Sequence, residues 1–525
     1  LNVKLPKIIS SGMIIEKTAR IWGTADDCEA AETSVEISFC GKKYYADIQD
    51  GKWEAVILSN DYGGPYDMTI GDITLSDIFV GRVFMLGGQS NMEMPVSRVR
   101  LKYDDDFKGL THNPRIRAFL VERDYEFHAP RSDCKGSWRS VSPETVDNFF
   151  AVSFYLSRIL EKALDIPIGL IECAVGGSRI ESWMNEAETV FHGYTAELLR
   201  LCKHEGFVEL ITREDEKRVN EWKQNVLDND QGLADKYFSD DYDDMGWKTR
   251  NLTKDWEEDI GLFFGSTWFR KTFEIGDEMA NSPARLLLGT ISDSDTVYLN
   301  GVIVGQTWYK YPPRAYDIPQ GVLRSGRNTV AVRVVSEREY GGFTAGKEYK
   351  LKTAAGEISL DGDWAYRHGY ETCELPPATQ FVNYPSGLYN AMLAPIMPFS
   401  ISAFLWYQGE SNSSSPYIYD KLLAEFLSYI RAKHRKELPF VVVQLPNYDA
   451  GALNDNWRIV REKQATILNY PNTAMIVTTD IGEDNDLHPL NKKELSNRLA
   501  EATLYLLRGD TIKTVDKVKI LPSTS

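Results

Sequence analysis

The chain has 525 residues, more than one hydrophobic core can serve, and a prior of about 150 residues per domain divides it into roughly three units. Its hydrophobic fraction of 43% and charged fraction of 26% are those of a globular protein in water, and no window reaches the roughly 18 apolar residues of a membrane span. A formal net charge of −17 argues against a nucleic-acid surface, where clustered Lys and Arg displace counterions from phosphate, and fits a neutral partner such as a sugar better.

The opening residues, "LNVKLPKIIS", show no basic stretch followed by an apolar one. A cytoplasmic location is therefore expected, or a secreted one if a leader has been removed. Residues 1–78 read as a small β-sandwich: "ARIWGTA", "SVEISFCGKKYYADI", "KWEAVILS" and "YDMTIGDITLSDIFVG" alternate apolar with polar positions between Gly, Asp and Asn turns.

From residue 79 the texture changes. The buried run "VFMLGG", a helical stretch from Val146 to Asp165 and the run "IPIGLIECAVGG" form one half of an α/β pattern. Helix 417–434, strand "LPFVVVQLP", helix 457–469, strand "TAMIVTTD" and helix 491–507 form the other. Helices alternating with continuous apolar strands predict a parallel sheet covered on both faces. Between the halves, 206–375 begins as a charged helical connector and then returns to β texture, in "STWFRKTFEI", "ARLLLGTI", "DTVYLNGVIVGQT" and "NTVAVRVV", with Asn300-Gly301 as a type I′ hairpin signal. The expected organisation is thus a sandwich (1–78), a first α/β part (79–205), an inserted β-sandwich with its connector (206–375) and a second α/β part (376–525). The six cysteines, Cys28, Cys40, Cys134, Cys173, Cys202 and Cys373, are scattered without a C-x-x-C pair, so reduced, mostly buried thiols are expected, with neither zinc nor a cystine framework.

In a doubly wound sheet ligands bind at the carboxyl ends of the strands. Four polar clusters follow predicted strands: "GGQSNMEM", "VGGSRIESW", "YQGESN" and "DNDLHP". A single glycine-rich turn is only a turn. Four at one edge assemble a serine, backbone donors, a carboxamide and an Asp/His pair, which is the inventory of acyl transfer. Ser90 is the candidate nucleophile, at a strand-to-helix junction. His488 is the candidate base, since an imidazole pKa of about 6.5 suits proton exchange near neutrality. Asp486 is the candidate orienting acid, because side chains two apart on extended backbone face the same way. The backbone N–H groups of Ser90 and Gly177 and the side-chain amide of Gln408 are nominated for the oxyanion hole. Gln89, Arg179 and Glu410 are candidates for substrate binding or support, although an Arg-Glu pair such as Arg179 and Glu181 opening a helix is more often structural.

"GQSNM", "VGGSRIESW", "WYQGESN" and "DLHPLNKKE", together with "SSGMIIEK…IWG" and "YNAMLAPIMPFSISAFLWYQGESN", resemble the SGNH-hydrolase superfamily, and within it the sialate O-acetylesterase-like carbohydrate esterases, which include acetylxylan esterases. The inserted segment resembles, more loosely, the jelly-roll sugar-binding domain of β-galactosidase-type glycosidases. The resemblance implies an α/β, flavodoxin-like three-layer hydrolase with an N-terminal β-sandwich and an inserted jelly roll. It also implies Ser90 as nucleophile, Gly177 and Gln408 in the oxyanion hole, and His488 as base. Many SGNH enzymes place the acid three residues before the histidine, where this chain has Asn485, so Asp486, Asp484 and Glu410 all stand as candidates, as does a Ser-His pair alone. The expected activity is removal of acetyl groups from sugar hydroxyls, on sialic acid or plant polysaccharide, with an acetylated carbohydrate as partner, no cofactor or metal, no nucleic acid and no membrane. The alternatives are a broader small-acyl esterase and a carbohydrate-binding protein with a vestigial site.

Overall fold

The computed structural model describes residues 2–26, 34–187, 193–509 and the backbone of 518–520. Two compact units emerge: one takes the chain up to Val208, Gln380–Asp484 and the chain from His488 onward, the other Glu209–Thr379 with Asn485–Leu487.

The first unit opens with two β-sheets. One orders Asn2–Lys4, Thr18–Asp26 and Lys52–Leu58; the other orders Ile14–Ile15, Ile73–Val80, Gly63–Ile70, Ser34–Phe39 and Lys42–Asp47. Period-two burial explains why these segments are strands: in Lys52–Leu58, Trp53, Ala55 and Ile57 are buried while the residues between them face out.

At its centre lies an eight-stranded sheet of β1 (Arg82–Gly88), β2 (Asn113–Val121), β3 (Gly136–Val141), β4 (Ile168–Ala174), β5 (Ala403–Tyr407), β6 (Phe440–Val443), β7 (Thr473–Ile476) and β8 (Val518–Ile520). The spatial order is β3-β2-β4-β1-β5-β6-β7-β8. The six inner strands are parallel, and β3 and β8 close the edges antiparallel. The helices that concern the site are α1 (Ser90–Glu93), α2 (Ala151–Leu164), α3 (Tyr419–His434), α4 (Asn454–Ala465) and α5 (Lys492–Arg508). Both sheet faces are covered, which is why the inner strands are largely apolar, and two of the charged exceptions, Arg117 of β2 and Glu172 of β4, are themselves buried. Leu405 and Tyr407 share a core with Leu156 and Leu160 of α2 and Leu499 and Leu506 of α5. Phe404 and Trp406 point the other way, where the Phe426 ring of α3 lies 5.7 and 4.7 Å from theirs.

This topology sets the position of the site. The chain leaves β1 for β2 and β4 on one side and later builds β5, β6 and β7 on the other, so the order reverses at β1 and opens a crevice at its carboxyl end. Gly88 is level with Ala174 of β4 and Tyr407 of β5, so three of the polar clusters leave the sheet at one height.

The second unit has a six-stranded sheet, Lys248–Asn251, Asp363–Glu371, Gly265–Ile275, Gly326–Ser336, Ser294–Leu299 and Val302–Thr307 in that order, and a four-stranded one, Ala315–Ile318, Ala284–Leu288, Tyr349–Thr353 and Gly356–Ser359. The expected hairpin turns at Asn300 and Gly301, whose φ of 50° and 80° are those of a type I′ turn. A clasp closes the unit's two chain ends on each other: Trp222 Nε1 donates to the Cys373 carbonyl at 2.8 Å, and the Asp215 carboxylate accepts from the Thr379 N–H at 2.6 Å.

Cys134, Cys173 and Cys202 are buried free thiols, whereas Cys40 and Cys373 are free but exposed; Cys28 lies outside the described residues. Among the described residues no helix is long and apolar enough to cross a membrane.

Candidate active site

Two glycines bring the β1 end into shape. A Cβ on Gly88, whose φ is 141°, would lie 2.0 Å from the Tyr407 carbonyl oxygen, and one on Gly87 would touch the Phe404 and Trp406 rings at 3.0 Å. Only glycine lets β1 run this close to β5. Gln89 then caps α1 in extended conformation, with its N–H on the Tyr407 carbonyl at 3.0 Å, and half-buried Ser90 is the first helical residue.

Ser90 and His488, 398 positions apart, meet with Oγ 2.8 Å from Nε2. His488 is 4% exposed, and burial, followed by the cations of Arg98 and Lys492, holds its pKa well below the ordinary 6.5. The imidazole is therefore neutral at physiological pH and able to accept a proton.

The β4 loop supplies backbone donors. Gly177 has φ 79° and open space where a side chain would stand. Among the described residues none accepts from the N–H of Ser90 or of Gly177. Gly176 N–H is held by the Glu93 carboxylate, reaching over from α1, and Ser411 Oγ donates to the Gly177 carbonyl at 2.7 Å. Burial raises the Glu93 pKa, opposed by the Gly176 hydrogen bond and Arg123.

Gln408 differs from its expected role. Its Nε2 donates to the Ser178 carbonyl at 3.1 Å and to Asn412 Oδ1 at 2.7 Å, and its Oε1 accepts from Tyr419 O–H at 2.8 Å. An amide nitrogen has two protons, so both are committed, and the fully buried Gln408 ties the β5 turn to the β4 turn rather than pointing a free donor at substrate. Gln89, 2% exposed, is likewise a strut: its Oε1 accepts from the N–H groups of Gly409 and Ser411, each at 3.3 Å. Arg179 donates to Ser414 and Ser415 and pairs with Glu181 at 3.4 Å, and Glu181 accepts from Asn412 at 2.9 Å. These residues brace the "YQGESN" turn.

The three candidate acids go to three different partners. Asp486, 8% exposed, pairs with Lys347 Nζ at 3.2 Å. Asp484 is exposed, and its carboxylate accepts from Asn447 Nδ2. Glu410 accepts from Asn91 Nδ2 at 2.7 Å through Oε1, and no described residue donates to its Oε2. Burial pushes the Glu410 pKa up, while Asn91 and Lys492 oppose this.

Two residues outside the predicted set join these loops. Asn91 receives Lys492 Nζ on Oδ1 at 2.7 Å while donating to Glu410, so a buried Glu410–Asn91–Lys492 chain connects the nucleophile helix, the β5 turn and the helix after His488. Both lie within the motifs "GQSNM" and "LNKKE", but only their full burial separates them from ordinary polar residues of a turn and a helix start.

The family model of carbohydrate esterases described as sialic acid-specific acetylesterase matches residues 80–211 and 370–505, just over half of the chain and all of the strand ends above. Sialate O-acetylesterases of Mus musculus and Rattus norvegicus are 25% and 24% identical over an alignment of 210 positions that covers 35% of this chain and 38% of theirs. The chain therefore matches well under half the length of these curated relatives. The crystal structure of a carbohydrate acetylesterase from Xanthomonas citri overlays 97% of this chain and 77% of its own with a TM-score of 0.57 at 19% identity, a likeness of fold. By the family match, the chain belongs to the sialic acid-specific acetylesterase family of carbohydrate esterases.

Proposed function

We propose that the chain is a carbohydrate O-acetylesterase working through an acetyl-enzyme. The observation that carries this reading is the 2.8 Å contact between Ser90 Oγ and a neutral, buried imidazole at a topological switch point. Ser90 Oγ attacks the acetyl carbonyl as His488 Nε2 takes its proton. The tetrahedral oxyanion is held by the N–H groups of Ser90 and Gly177. On collapse the C–O bond to the sugar breaks, and the proton on Nε2 passes to the departing sugar oxygen. Water then repeats the sequence: His488 takes its proton, the hydroxide oxygen attacks the acetyl carbon, acetate leaves and the proton returns to Ser90.

Inside the additional parallel strand β2, which flanks β4, the five strands β4-β1-β5-β6-β7 run in the order 2-1-3-4-5 of flavodoxin-like sheets, with helices on both faces, which supports the three-layer SGNH reading. The two sheets of the second unit support the jelly-roll reading of the insert. Gln408 enters this mechanism as a positioning residue. Asp486 is the preferred acid from its spacing to His488, in competition with Lys347 for the same carboxylate. The direct test is release of acetate from acetylated sugars by the wild type and by Ser90→Ala; wild-type protein with no acetate release would end the proposal.

A further inference from the structure

We propose that the cavity at the carboxyl ends of β6 and β7, next in the row of strand ends after the Gln408 turn, is a subsite for the carboxylate of an acidic sugar, with Arg461 as its anchor. Its volume is about 480 Å³, and its walls include Asn447, Tyr448, Trp457, Arg461 and Asp484. That is room for a monosaccharide rather than a polymer segment. Two links connect it to the proposed chemistry. Asp484 precedes His488 by four residues, and Gln464, one turn of α4 beyond Arg461, donates to the Gln408 carbonyl at 2.9 Å.

The charges in this cavity are unevenly satisfied. Asp449 accepts from Gly451 N–H at 3.0 Å and Asn454 Nδ2 at 2.8 Å, Asp484 accepts from Asn447, and Arg458 pairs with Glu462 and, at 3.9 Å, with Asp455. Arg461 is left. Its guanidinium is half-buried, and among the described residues it has neither an ion pair nor a side-chain hydrogen bond. Burial lowers its pKa with no carboxylate opposing the shift. A guanidinium stays charged in proteins and is shaped for bidentate carboxylate recognition, so a desolvated cation without a counter-charge is best completed by an anion from outside. In a chain of net charge −17 an anionic substrate needs such a local cation to offset the general repulsion. Beside it, the half-buried ring of Tyr448 packs on the buried Trp457 at 5.4 Å between ring centroids, and Trp457 Nε1 is fixed on the Pro446 carbonyl at 3.0 Å, so Tyr448 is held as an aromatic face of the kind a pyranose ring packs against.

The inference rests on the acetylesterase reading only for where the acetyl group lies; the carboxylate subsite can be read by binding alone. Full-length wild-type, Arg461→Gln and Arg461→Lys proteins are titrated calorimetrically with unacetylated N-acetylneuraminic acid, glucuronic acid and the methyl ester of each. We expect the wild type to bind one of the acids at least about 10-fold more tightly than its ester, Arg461→Gln to lose that preference and Arg461→Lys to keep part of it; whichever acid binds identifies a nonulosonic or a hexuronic sugar. Equal affinity for acid and ester, a preference that survives in Arg461→Gln, or no measurable binding of either acid would overturn the subsite. Hydrolysis of 4-nitrophenyl acetate by the wild type and by Ser90→Ala runs alongside, and its failure would sink the acetylesterase reading while leaving the binding result to stand.

Discussion

Replacing Asn91 by Ala removes the link between three loops at once. The side chain is fully buried and makes two hydrogen bonds of 2.7 Å, one to the carboxyl of Glu410 and one from the ammonium of Lys492, which are 7% and 1% exposed. A hydrogen bond to a charged group contributes about 1.5–3 kcal/mol, and each partner stranded in the interior loses it without water to replace it. The expected loss is therefore about 3–5 kcal/mol, measured as a lower urea midpoint for the unfolding transition that abolishes activity. Because Asn91 follows Ser90 directly and Lys492 follows His488 by four residues, the surviving folded protein should also lose on the order of 10² in kcat, as misplacement by about 1 Å does, with KM little changed. A variant within about 1 kcal/mol of wild type and with unaltered kcat would refute the view that this buried chain holds the two reacting groups in register.

Ser90→Ala should lower kcat on 4-nitrophenyl acetate by about 10⁴–10⁶-fold while leaving the thermal transition in place, and a tenth of wild-type activity remaining would remove Ser90 from the mechanism. Among the acids, Asp486→Asn is expected to be the most damaging, as much as roughly 10⁴ in kcat, with Glu410→Gln intermediate and Asp484→Asn nearly silent; an inverted ranking would move the acid to the β5 turn. The acid limb of kcat/KM should lie below pH 6.5, because the base works only unprotonated and burial with Arg98 and Lys492 depresses the His488 pKa. Removing one of these cations in Lys492→Met should move the limb upward, and a wild-type midpoint at or above 6.5 would contradict the buried neutral imidazole. The same shift has a stability sign: the unfolded chain takes up the His488 proton near pH 6.5 and the folded chain does not, so this group's contribution is present above about pH 6.5 and is lost as pH falls below it.

The strand ends were legible because parallel strands buried on both faces advertise themselves as mostly apolar runs, and "VFMLGG", "AFLWY", "TAMI" and, but for its buried Glu172, "IGLIECA" all occur as strands with their polar clusters at one edge. Helix starts were less legible. The helix expected at 457–469 begins at Asn454 and tightens to a 3₁₀ turn over Thr466–Asn469, since Asn and Asp at a first turn read as loop residues. Partner choice was not legible at all. Whether a carboxamide near a strand end faces substrate or the neighbouring loop depends on acceptors far away in the chain: Gln408 is claimed by Ser178, 230 positions earlier, and Asp484 by Asn447, 37 positions earlier. Motif spacing cannot encode such pairings because they are settled by the packing of separate loops.

The clasp that ties Asp215 to Thr379 and Trp222 to Cys373 bears on how the chain finds its fold. β1 and β5 are hydrogen-bonded neighbours, yet β5 emerges roughly 230 residues after β4 has ended. Once the clasp has formed, the connection between β4 and β5 behaves as a loop of roughly 65 free residues, which lowers the entropy cost of bringing them together by about 1 kcal/mol. Until then β1 is an open strand edge, free of charged side chains from Val83 onward and able to pair with another chain. The intervening unit therefore acts during synthesis as a timer as much as a spacer: the faster it closes on itself, the shorter the interval in which a half-built sheet is exposed to aggregation.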